Sequence, residues 1–235
     1  KEFLTFFRDE ATRLGTTTHL ADIPIDDEDM ESFPYLMFKE NVACALKVAE
    51  LLQVPSDIAW QGMVAATPDL GSTQVCSLSS SGASIHFVNA LAANDLTSTL
   101  LVWERWQEMA ESLGLVDAPV VGLLHNRNDR SFRVPELVQV CSELPFDCLW
   151  LTGDLVPVTK RFLKRQGFDA GRIRTLKKPS SRRILESLVH DYQGDVVLFA
   201  YGNIKGFGQE LADYFTRNGV RAEYDHAGHG VRSSF

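Results

Sequence analysis

The 235-residue chain lacks several features that mark common classes of protein. None of its apolar runs approaches the roughly 20 residues that a helix needs to cross a bilayer. Basic residues are in the minority, with 23 Lys and Arg against 31 Asp and Glu, and the formal net charge of −8 disfavours nonspecific binding to nucleic acid or to anionic lipid. With 45% hydrophobic residues, the chain is predicted to be globular and to bury a sizeable core.

Metal-binding and phosphate-binding motifs are also missing from the sequence. The four cysteines form no CxxC pair and lie near no histidines at zinc spacing, so we expect reduced core thiols of a cytosolic protein at Cys44, Cys76, Cys141 and Cys148. His226 and His229 of "HAGHG" are an isolated histidine pair in a tail segment without a packing period, and a metal site is not predicted. No GxxxxGK[ST] loop occurs, so the sequence offers no P-loop to cradle phosphates.

A turn at "TPDLGS" divides the sequence near residue 70. Residues 1–70 are mainly helical in their periodicity, with a short strand candidate at "TTTHLAD" and an acidic, solvated segment at "DDEDMESF". Residues 71–235 alternate between apolar strand candidates and helical segments. Since strands that are almost continuously apolar are buried on both faces, this part predicts a Rossmann-like α/β domain, a mostly parallel sheet with helices on both faces.

Polar residues of the second part stand where the predicted strands end. "FVNAL" leads into "AAND", "VVGLL" into "HNRNDRSFR", "CLWL" into "TGD", and "VVLFA" into "YGNIKGFG". The carboxyl ends of parallel strands share one edge of a sheet, where open α/β sheets bind ligands. This edge is predicted to gather Asn89, Asn94, Asp95, Arg127, Asp129, Arg130, Thr152, Asp154, Asn203 and Lys205. Its two arginines and its lysine suit recognition of carboxylate or phosphate groups.

Each of these segments also has a purely structural interpretation. Asn94 or Asp95 is a candidate N-cap of the next helix, because a short polar side chain accepts hydrogen bonds from unpaired N–H groups. "RNDR" fits an exposed, salt-bridged loop, and the glycines of "YGNIKGFG" fit a tight turn. Trp103 and Trp106 are expected to pack against the sheet rather than to stack on a base. The recurrence of polar residues at four strand ends favours a site.

The same segments resemble a known family. "FVNALAANDLTSTLLVWERW", "LLHNRNDRSFR" and "YGNIKG", preceded in order by "FKENVACALKVAELLQV" and "TPDLGSTQV", resemble the Mur-ligase-like, ATP-dependent amide ligase subunit of poly-γ-glutamate synthase. The resemblance runs through essentially all 235 residues, but it covers only the second half of that family's chain. It implies that an N-terminal membrane segment and a P-loop of the type GxxGKST precede Lys1.

The resemblance further implies a site closed from two domains. Residues 1–70 resemble the C-terminal part of a Mur-type central ATP-binding domain, and residues 71–235 resemble the C-terminal Rossmann-like domain. The implied cofactors are ATP and Mg²⁺, with the metal ligands in the N-terminal half. The implied setting is the cytoplasmic side of the cell membrane, beside membrane-embedded partner subunits of the synthase. No nucleic acid partner is implied, and a homo-oligomer stays open.

Two asparagines match nucleotide-binding positions of the Mur ligases. The helix matching "ENVACALKVA" begins with an asparagine that contacts adenine, which assigns Asn41 to the cofactor. Asn89 matches the residue that reaches the ATP ribose, where the Mur motif has an aspartate, so the hydroxyl contact here is uncharged.

The remaining matches concern the substrate loops. "HNRNDRSFR" resembles the family's arginine and aspartate loop, with Phe132 in place of an expected acidic residue; the matching positions are Arg127, Asp129, Arg130 and Arg133. "LTGDLVP" lacks the arginine that usually meets the incoming amino acid, and "YGNIKG" has Lys205 where the family's "GNIHG" has histidine.

The implied reaction is the polymerisation of glutamate. ATP activates a glutamate carboxylate as an acyl phosphate, and the amine of another glutamate attacks it to form the amide. The predicted catalytic residues are Arg127, Asp95 and Asp129, and the predicted substrate-binding residues are Asn94, Arg130, Thr152, Asn203 and Lys205. Two alternatives stay open: another Mur-type ligase, such as a folylpolyglutamate or cell-wall peptide ligase, and a noncatalytic Rossmann-like module that binds a small molecule.

Overall fold

The computed structural model describes residues 3–30, 32–33, 37–66 and 73–222. The chain divides into two compact units, Lys1–Thr67 and Pro68–Phe235. Within the described ranges, no helix is both long and apolar enough to span a membrane. All the polar strand ends that the sequence predicts to form a site belong to the second unit.

The first unit is helical and has a small core of its own. Its helices are α1 (Leu4–Leu14), α2 (Asp27–Met30), α3 (Lys39–Leu51) and α4 (Ser56–Ala65). Met30, Phe33, Val42 and Leu46 are buried together, and the ring of Trp60 packs edge-on to Phe33 with 5.5 Å between ring centroids. Met30 and Phe33 belong to the acidic segment that is predicted to be solvated, so that segment anchors the unit through its two apolar side chains.

The strand predicted for residues 16–22 is wrong. These residues have no regular secondary structure. An alternating pattern makes a strand only where another strand supplies hydrogen-bond partners, and none of the described residues before residue 67 lies in a strand. Helix α1 is present as predicted, although none of its residues is buried.

The prediction of core thiols holds for most of the cysteines. All four are free; Cys76 and Cys141 are buried and Cys148 is half-buried, but Cys44 is exposed and the prediction is wrong there. Cys44 lies on α3 two residues before the buried Leu46. Two residues of a helix correspond to a rotation of about 200°, so the side chain of Cys44 points away from the buried side. Burial raises the pKa of Cys141 to about 12, and its Sγ lies 2.8 Å from the hydroxyl of Tyr201.

The second unit is built around one mostly parallel sheet. Its strands are β1 (Val75–Ser80), β2 (Ala83–Ala90), β3 (Val120–Asn126), β4 (Cys148–Gly153), β5 (Ile173–Thr175), β6 (Gly194–Gly202) and β7 (Val220–Arg221). Among the described residues they lie in the order β5–β4–β3–β6–β2–β1–β7. From β5 to β2 every pairing is parallel, whereas β1 runs antiparallel to β2 and to β7. Ser81 and Gly82, at φ of 47° and 87°, join β1 to β2 as a two-residue hairpin turn requires.

Helices cover both faces of this sheet, as predicted. They are α5 (Leu96–Leu113), α6 (Val134–Glu143), α7 (Val156–Arg165), α8 (Ser181–Asp191) and α9 (Phe207–Asn218). Helices α8 and α9 pack on the face that carries Leu198. The next residue, Phe199, points to the opposite face, where Trp103 of α5 meets it edge-on at 5.3 Å between centroids. Trp103 and Trp106 are therefore core residues, which confirms the packing interpretation.

The chain leaves two neighbouring strands in opposite directions. After β3 it passes through α6 to β4 on one side, and after β6 it passes through α9, which packs against β1 on the other side. Such a reversal in an open α/β sheet is a topological switch point, and the crevice outside the carboxyl ends of those strands is where ligands bind. We call residues 125–133 and 202–206, which follow β3 and β6 at this point, the switch edge.

Candidate functional site

The ends of β3 and β6 are held against each other at the switch edge. The amide nitrogen of Asn203 donates a hydrogen bond to the carbonyl oxygen of His125 at 3.2 Å. Gly202 has a φ of 110°, and a Cβ at this position would lie 2.6 Å from the same carbonyl oxygen. Asn203 is buried, and the structure gives it a role in joining two strands; its predicted role in substrate binding stays a prediction.

The other flank of β3 is joined to β4 in a similar way. Gly153 ends β4 with a φ of 93°, and a Cβ there would lie 1.8 Å from the carbonyl oxygen of Asn126. That carbonyl accepts a hydrogen bond from the backbone of Asp154 at 3.1 Å. The side-chain amide of Asn126 donates to the hydroxyl of Thr159 on α7 at 2.8 Å. The end of β3 is thus fixed from both sides, which suits a position that carries reactive side chains.

The loop after β3 contains a paired arginine. Arg127 Nε and Nη2 donate to Asp129 Oδ1 and Oδ2 at 3.0 and 2.8 Å, a two-pronged ion pair. The Arg127 side chain is 24% exposed, whereas that of Asp129 is 56% exposed. The salt-bridged loop that the sequence allows is therefore present. Because Asp129 fills the guanidinium fork, a substrate carboxylate has to share or replace Asp129 to bind Arg127.

Two other cations of the switch edge are not paired in this way. Arg130 and Lys205 are exposed, and neither makes an ion pair with any residue in the ranges that the structure describes. Arg133 is half-buried, and its guanidinium lies 5.5 Å from the ring centroid of Phe132. Arg130 and Lys205 follow adjacent strands, so two unpaired positive charges stand at the mouth of the crevice.

A buried histidine at the end of β3 is a residue that the predicted site did not include. His125 is 6% exposed, faces Phe207 edge-on at 5.7 Å between centroids, and its Nδ1 has no hydrogen-bond partner among the described residues. Burial lowers the pKa of His125 by more than a backbone hydrogen bond at Lys205 and the charge of Asp154 raise it, and Arg127 makes a smaller lowering contribution. The imidazole is therefore held neutral near pH 7.

Thr152 lies beside this histidine on the neighbouring strand. His125 and Thr152 are paired across β3 and β4, so their side chains point to the same face of the sheet. Thr152 is 1% exposed, and its hydroxyl has no partner within the described part of the chain. Thr152 is among the predicted substrate-binding residues; His125 is not, although a histidine directly after the apolar run "VVGLL" is a signal that sequence reasoning can use.

The segment after β2, residues 89–98, is engaged with its own backbone, and we call it the cap segment. Asp95 is the N-cap of α5, which confirms the predicted cap: its Oδ1 accepts from the Ser98 backbone N–H at 2.8 Å and its Oδ2 from the Ser98 hydroxyl at 2.7 Å. The Asn94 side chain donates to the carbonyl oxygen of Ala92 at 3.0 Å. Buried Asn89 accepts from the Leu91 backbone at 3.3 Å.

The residues that the structure describes do not fit a Mg²⁺–triphosphate site. The sequence has no P-loop, and among the described residues no three His, Cys, Asp or Glu side chains are grouped closely enough to hold a metal ion. His226 and His229 lie outside the described residues. Asn41, the predicted adenine contact, lies in the first turn of α3 in the first unit and is exposed. Its role stays a prediction.

Comparison with known proteins finds relatives that cover most of the chain. Residues 75–218 match the family described as "Poly-gamma-glutamate synthase CapB C-terminal domain". The chain is 31% identical over 215 residues to "PGA synthase CapB" of Bacillus subtilis (strain 168), a match that covers 90% of this chain and 53% of that protein. It is 28% identical over 215 residues to "Capsule biosynthesis protein CapB" of Bacillus anthracis, covering 90% and 45%. The chain thus spans about half the length of the curated relatives that it matches.

A solved structure supports the fold at lower sequence identity. The murein peptide ligase mpl from Psychrobacter arcticus 273-4 superposes with a TM-score of 0.50 at 16% identity, covering 78% of this chain and 38% of that one. The likeness shows an α/β fold of the Mur ligase type, which confirms the predicted fold class.

Proposed function

The chain belongs to the CapB family of poly-gamma-glutamate synthases, a ligase family, and on this premise we propose that it takes part in ATP-dependent ligation of glutamate into poly-γ-glutamate. The observation that carries the proposal is the switch edge. Unpaired cations at Arg130 and Lys205 and a paired one at Arg127 stand outside the crevice between β3 and β6, where an anionic substrate binds in folds of this kind.

Glutamate fits these cations because it carries two carboxylates. In the proposed complex Arg130 and Lys205 bind substrate carboxylates, and a further carboxylate competes with Asp129 for the fork of Arg127. Once displaced from that fork, Asp129 can accept a hydrogen bond from the ammonium group of the second glutamate. That ammonium group then loses a proton and attacks as the amine. The rigid end of β3 keeps these groups in register while an acyl carbon and an amine approach each other.

The proposed reaction has two stages. ATP transfers its γ-phosphoryl group to a glutamate carboxylate, which gives an acyl phosphate and ADP, and the amine of a second glutamate attacks the acyl carbon and displaces phosphate. Negative charge grows on oxygen in the transition state of both stages. Fixed cations at the switch edge therefore stabilise the transition states more than the bound substrates. Since the described residues do not fit the triphosphate and its Mg²⁺, we propose that both are held by parts of the enzyme outside these 235 residues and that Asn89 contacts the nucleoside.

The setting of the reaction is part of the same proposal. A polymer that leaves the cell has to be handed across a membrane, so we propose that the enzyme works at the cytoplasmic side of the cell membrane beside membrane-embedded partner subunits of the synthase. Glutamate and the growing polymer are its small-molecule partners. Isolation of the complete enzyme with its membrane fraction tests this placement, and an enzyme that stays in the soluble fraction with full activity contradicts it.

The experiment that tests the function measures amide formation and phosphate release together. The complete enzyme, incubated with ATP, Mg²⁺ and glutamate, is expected to form γ-glutamyl amide and phosphate in equal amounts, whereas the present chain alone is expected to form neither. The double variant Arg130→Ala/Lys205→Ala should raise KM for glutamate by at least about tenfold, because two charge-assisted contacts are lost.

A matched control uses one arginine from each of two helices, α5 and α9. Arg105 on α5 and Arg217 on α9 each pair with a carboxylate on their own helix, and Arg105→Ala/Arg217→Ala should leave KM within about twofold. If the complete enzyme forms an amide only with a peptide or a folate as acceptor, the chain serves another Mur-type ligase. Binding of glutamate without any ATP-dependent product points instead to a noncatalytic module.

A further inference from the structure

The positive charge of the second unit is concentrated in one stretch. Residues 156–183 hold ten of the chain's 23 basic residues and one of its 31 acidic residues, Asp169, in a chain whose net charge is −8. The ten are Lys160, Arg161, Lys164, Arg165, Arg172, Arg174, Lys177, Lys178, Arg182 and Arg183. They lie on α7, around the edge strand β5 and at the start of α8. A local field of this sign on an acidic protein attracts polyanions.

Part of this stretch lines a groove beside α8. The groove has a volume of about 390 Å³, and its basic lining residues are Arg174, Lys177, Arg183 and His190. The lining reaches from before the start of α8 to the last turn of the helix, and an 11-residue helix is about 16 Å long. We call this feature the basic groove. Its length suits an extended ligand rather than a single small anion.

The carboxylates at the basic groove are already engaged. Glu186, which lines the groove, accepts a hydrogen bond from Arg182 Nε at 2.8 Å. Asp191 pairs with Arg174, whose guanidinium also lies 5.0 Å from the ring centroid of Trp150. Internal pairing thus consumes Arg174 and Arg182, and the remaining cations decide what the groove attracts.

Those remaining cations have no acidic partner. Lys177, Lys178 and Arg183 make no ion pair with any residue in the described ranges, and the Arg183 guanidinium donates only to the carbonyl oxygen of Lys178, at 3.4 Å. The hydroxyl of Thr175, in the groove wall, is buried and has no partner among the described residues. Two unpaired charges, Lys177 and Arg183, therefore line the groove together with an unsatisfied hydroxyl, and a third, Lys178, follows Lys177 directly in the chain.

One end of the basic groove lies at the same edge of the sheet as the proposed active site. Strand β5 ends at Thr175, and β5, β4 and β3 are successive parallel strands whose carboxyl ends share one edge. Neighbouring strands are about 4.8 Å apart, so Thr175 at the end of β5 lies about 10 Å from Leu124, its register partner on β3 across β4. A chain that leaves the switch edge reaches the groove within a few residues.

We propose that the basic groove binds the growing poly-γ-glutamate chain and holds it while its end is extended at the switch edge. The inference rests on the proposed function. Each γ-linked residue keeps a free α-carboxylate, so the polymer presents a regular row of negative charges. Single exposed ion pairs are weak, but a polymer engages several of them at once, and this multivalency makes the groove select polymer over monomer.

The experiment measures polymer binding to the chain directly. A fluorescein-labelled poly-γ-glutamate oligomer is titrated with the protein, and anisotropy gives Kd at low and at high salt. The wild type should bind with an affinity that falls steeply as salt rises, since exposed charges are screened. Lys177→Glu/Arg183→Glu should weaken binding by at least about tenfold, because two attractive contacts become repulsive.

A matched control separates the groove from net charge. Arg105→Glu/Arg217→Glu makes the same change of charge on α5 and α9, and it should keep Kd within about threefold of the wild type. Equal weakening by both double variants would show general electrostatic attraction and overturn the proposal. A nucleic acid oligomer of equal charge that binds as tightly as the polymer also overturns it. Lys177→Gln/Arg183→Gln should give an intermediate loss with an unchanged melting temperature.

A second readout distinguishes failure of this inference from failure of the proposed function. In the complete enzyme, the groove double variant should slow extension of a preformed polymer by about tenfold and ligation to monomeric glutamate by less than about twofold. If both acceptors are slowed equally, the role of the groove in polymer binding is contradicted, while the proposed ligase function still stands. If the protein binds polymer through Lys177 and Arg183 but the complete enzyme makes no amide, the proposed function is wrong instead.

Discussion

The cap segment and the switch edge both look like binding sites in the sequence. The polar side chains of the cap segment are bonded to neighbouring residues, whereas some of those at the switch edge have no partner among the described residues. In the cap segment both carboxylate oxygens of Asp95 accept from Ser98, and the Asn94 amide donates to the backbone. At the switch edge Arg130 has no ion-pair partner, and His125 Nδ1 has no hydrogen-bond partner, among the residues described. Polar residues at strand ends are therefore of two kinds: those whose side chains bond to their own segment and those whose side chains have no partner within the described part of the chain.

The difference has a physical origin in where each chain segment goes next. The cap segment begins a long helix, and a helix start leaves N–H groups that nearby side chains satisfy. The switch edge leaves β3 through a short 3₁₀ turn, Asn128–Arg133, and on its β6 side α9 begins after Gly206, which has no side chain to cap the helix, so fewer side chains there are bound to backbone groups. Side chains that the backbone does not use are free to meet a ligand.

The largest expected effect comes from breaking the rigid frame of the switch edge. Gly153→Ala places a Cβ 1.8 Å from the Asn126 carbonyl oxygen at a φ of 93°, and it should lower the free energy of unfolding by about 3 kcal/mol or more. Gly167→Ala, at a φ of 79° with no atom within 4 Å of the new Cβ, should cost only about 1–2 kcal/mol. Urea unfolding of both variants measures the difference, and equal losses would show that the frame is not tight.

The next effect concerns catalysis rather than folding. Arg127→Ala in the complete enzyme should lower kcat/KM by about a hundredfold, or about 2.7 kcal/mol, because a partly buried guanidinium fork on the substrate is lost. Its pair with Asp129 is on the surface, so the melting temperature should move by less than about two degrees. Arg105→Ala, which also breaks a surface pair, is the control. Unfolding of the Arg127 variant would assign that residue to structure.

Local patterns were enough to predict most elements of the second unit. Helix α5 begins at the predicted cap and the apolar strands stand where the runs occur, because caps and periodicity are local properties. Strand order is not local: β6 lies between β2 and β3, and no residue in those strands indicates it. The same limit explains the wrong strand at residues 16–22, which has the pattern of a strand but no partner to pair with.

The predicted site was limited in a similar way. Residue types identified the cations of the switch edge, since arginine and lysine after an apolar run stand out in the sequence. They did not reveal that Asn203 is committed to the His125 carbonyl or that Arg127 is committed to Asp129. Hydrogen-bond commitment depends on neighbours that are distant in sequence, and so does the unsatisfied Nδ1 of His125.

The buried histidine makes stability depend on pH. The pKa of His125 is lower in the folded state than its ordinary value of 6.5. As the pH falls below 6.5, the unfolded chain therefore takes up a proton at His125 before the folded protein does. The free energy of unfolding should therefore be highest above pH 6.5 and fall as the pH drops through 6.5 toward the lowered pKa. His125→Gln should flatten this dependence in urea unfolding at pH 7.5 and 5.5. A variant with the wild-type slope would assign the pH dependence to other groups.

The smallest effect is expected in the cap segment, and it decides whether the comparison holds. Asp95→Asn keeps an oxygen that accepts from the Ser98 N–H, and Asn and Asp are nearly equal caps, so stability should fall by only a few tenths of a kcal/mol. Because both carboxylate oxygens already serve Ser98, we expect polymer synthesis by the complete enzyme to change by less than about threefold, which is below about 0.7 kcal/mol of activation free energy. Asp95→Ala is the companion variant: it removes the cap and should cost about 1 kcal/mol of stability with the same small effect on rate. A tenfold slower Asp95→Asn enzyme with an unchanged melting temperature would support the catalytic role predicted for Asp95. The cap segment would then contribute to the active site despite its satisfied hydrogen bonds, because a capping carboxylate would also be acting through its charge.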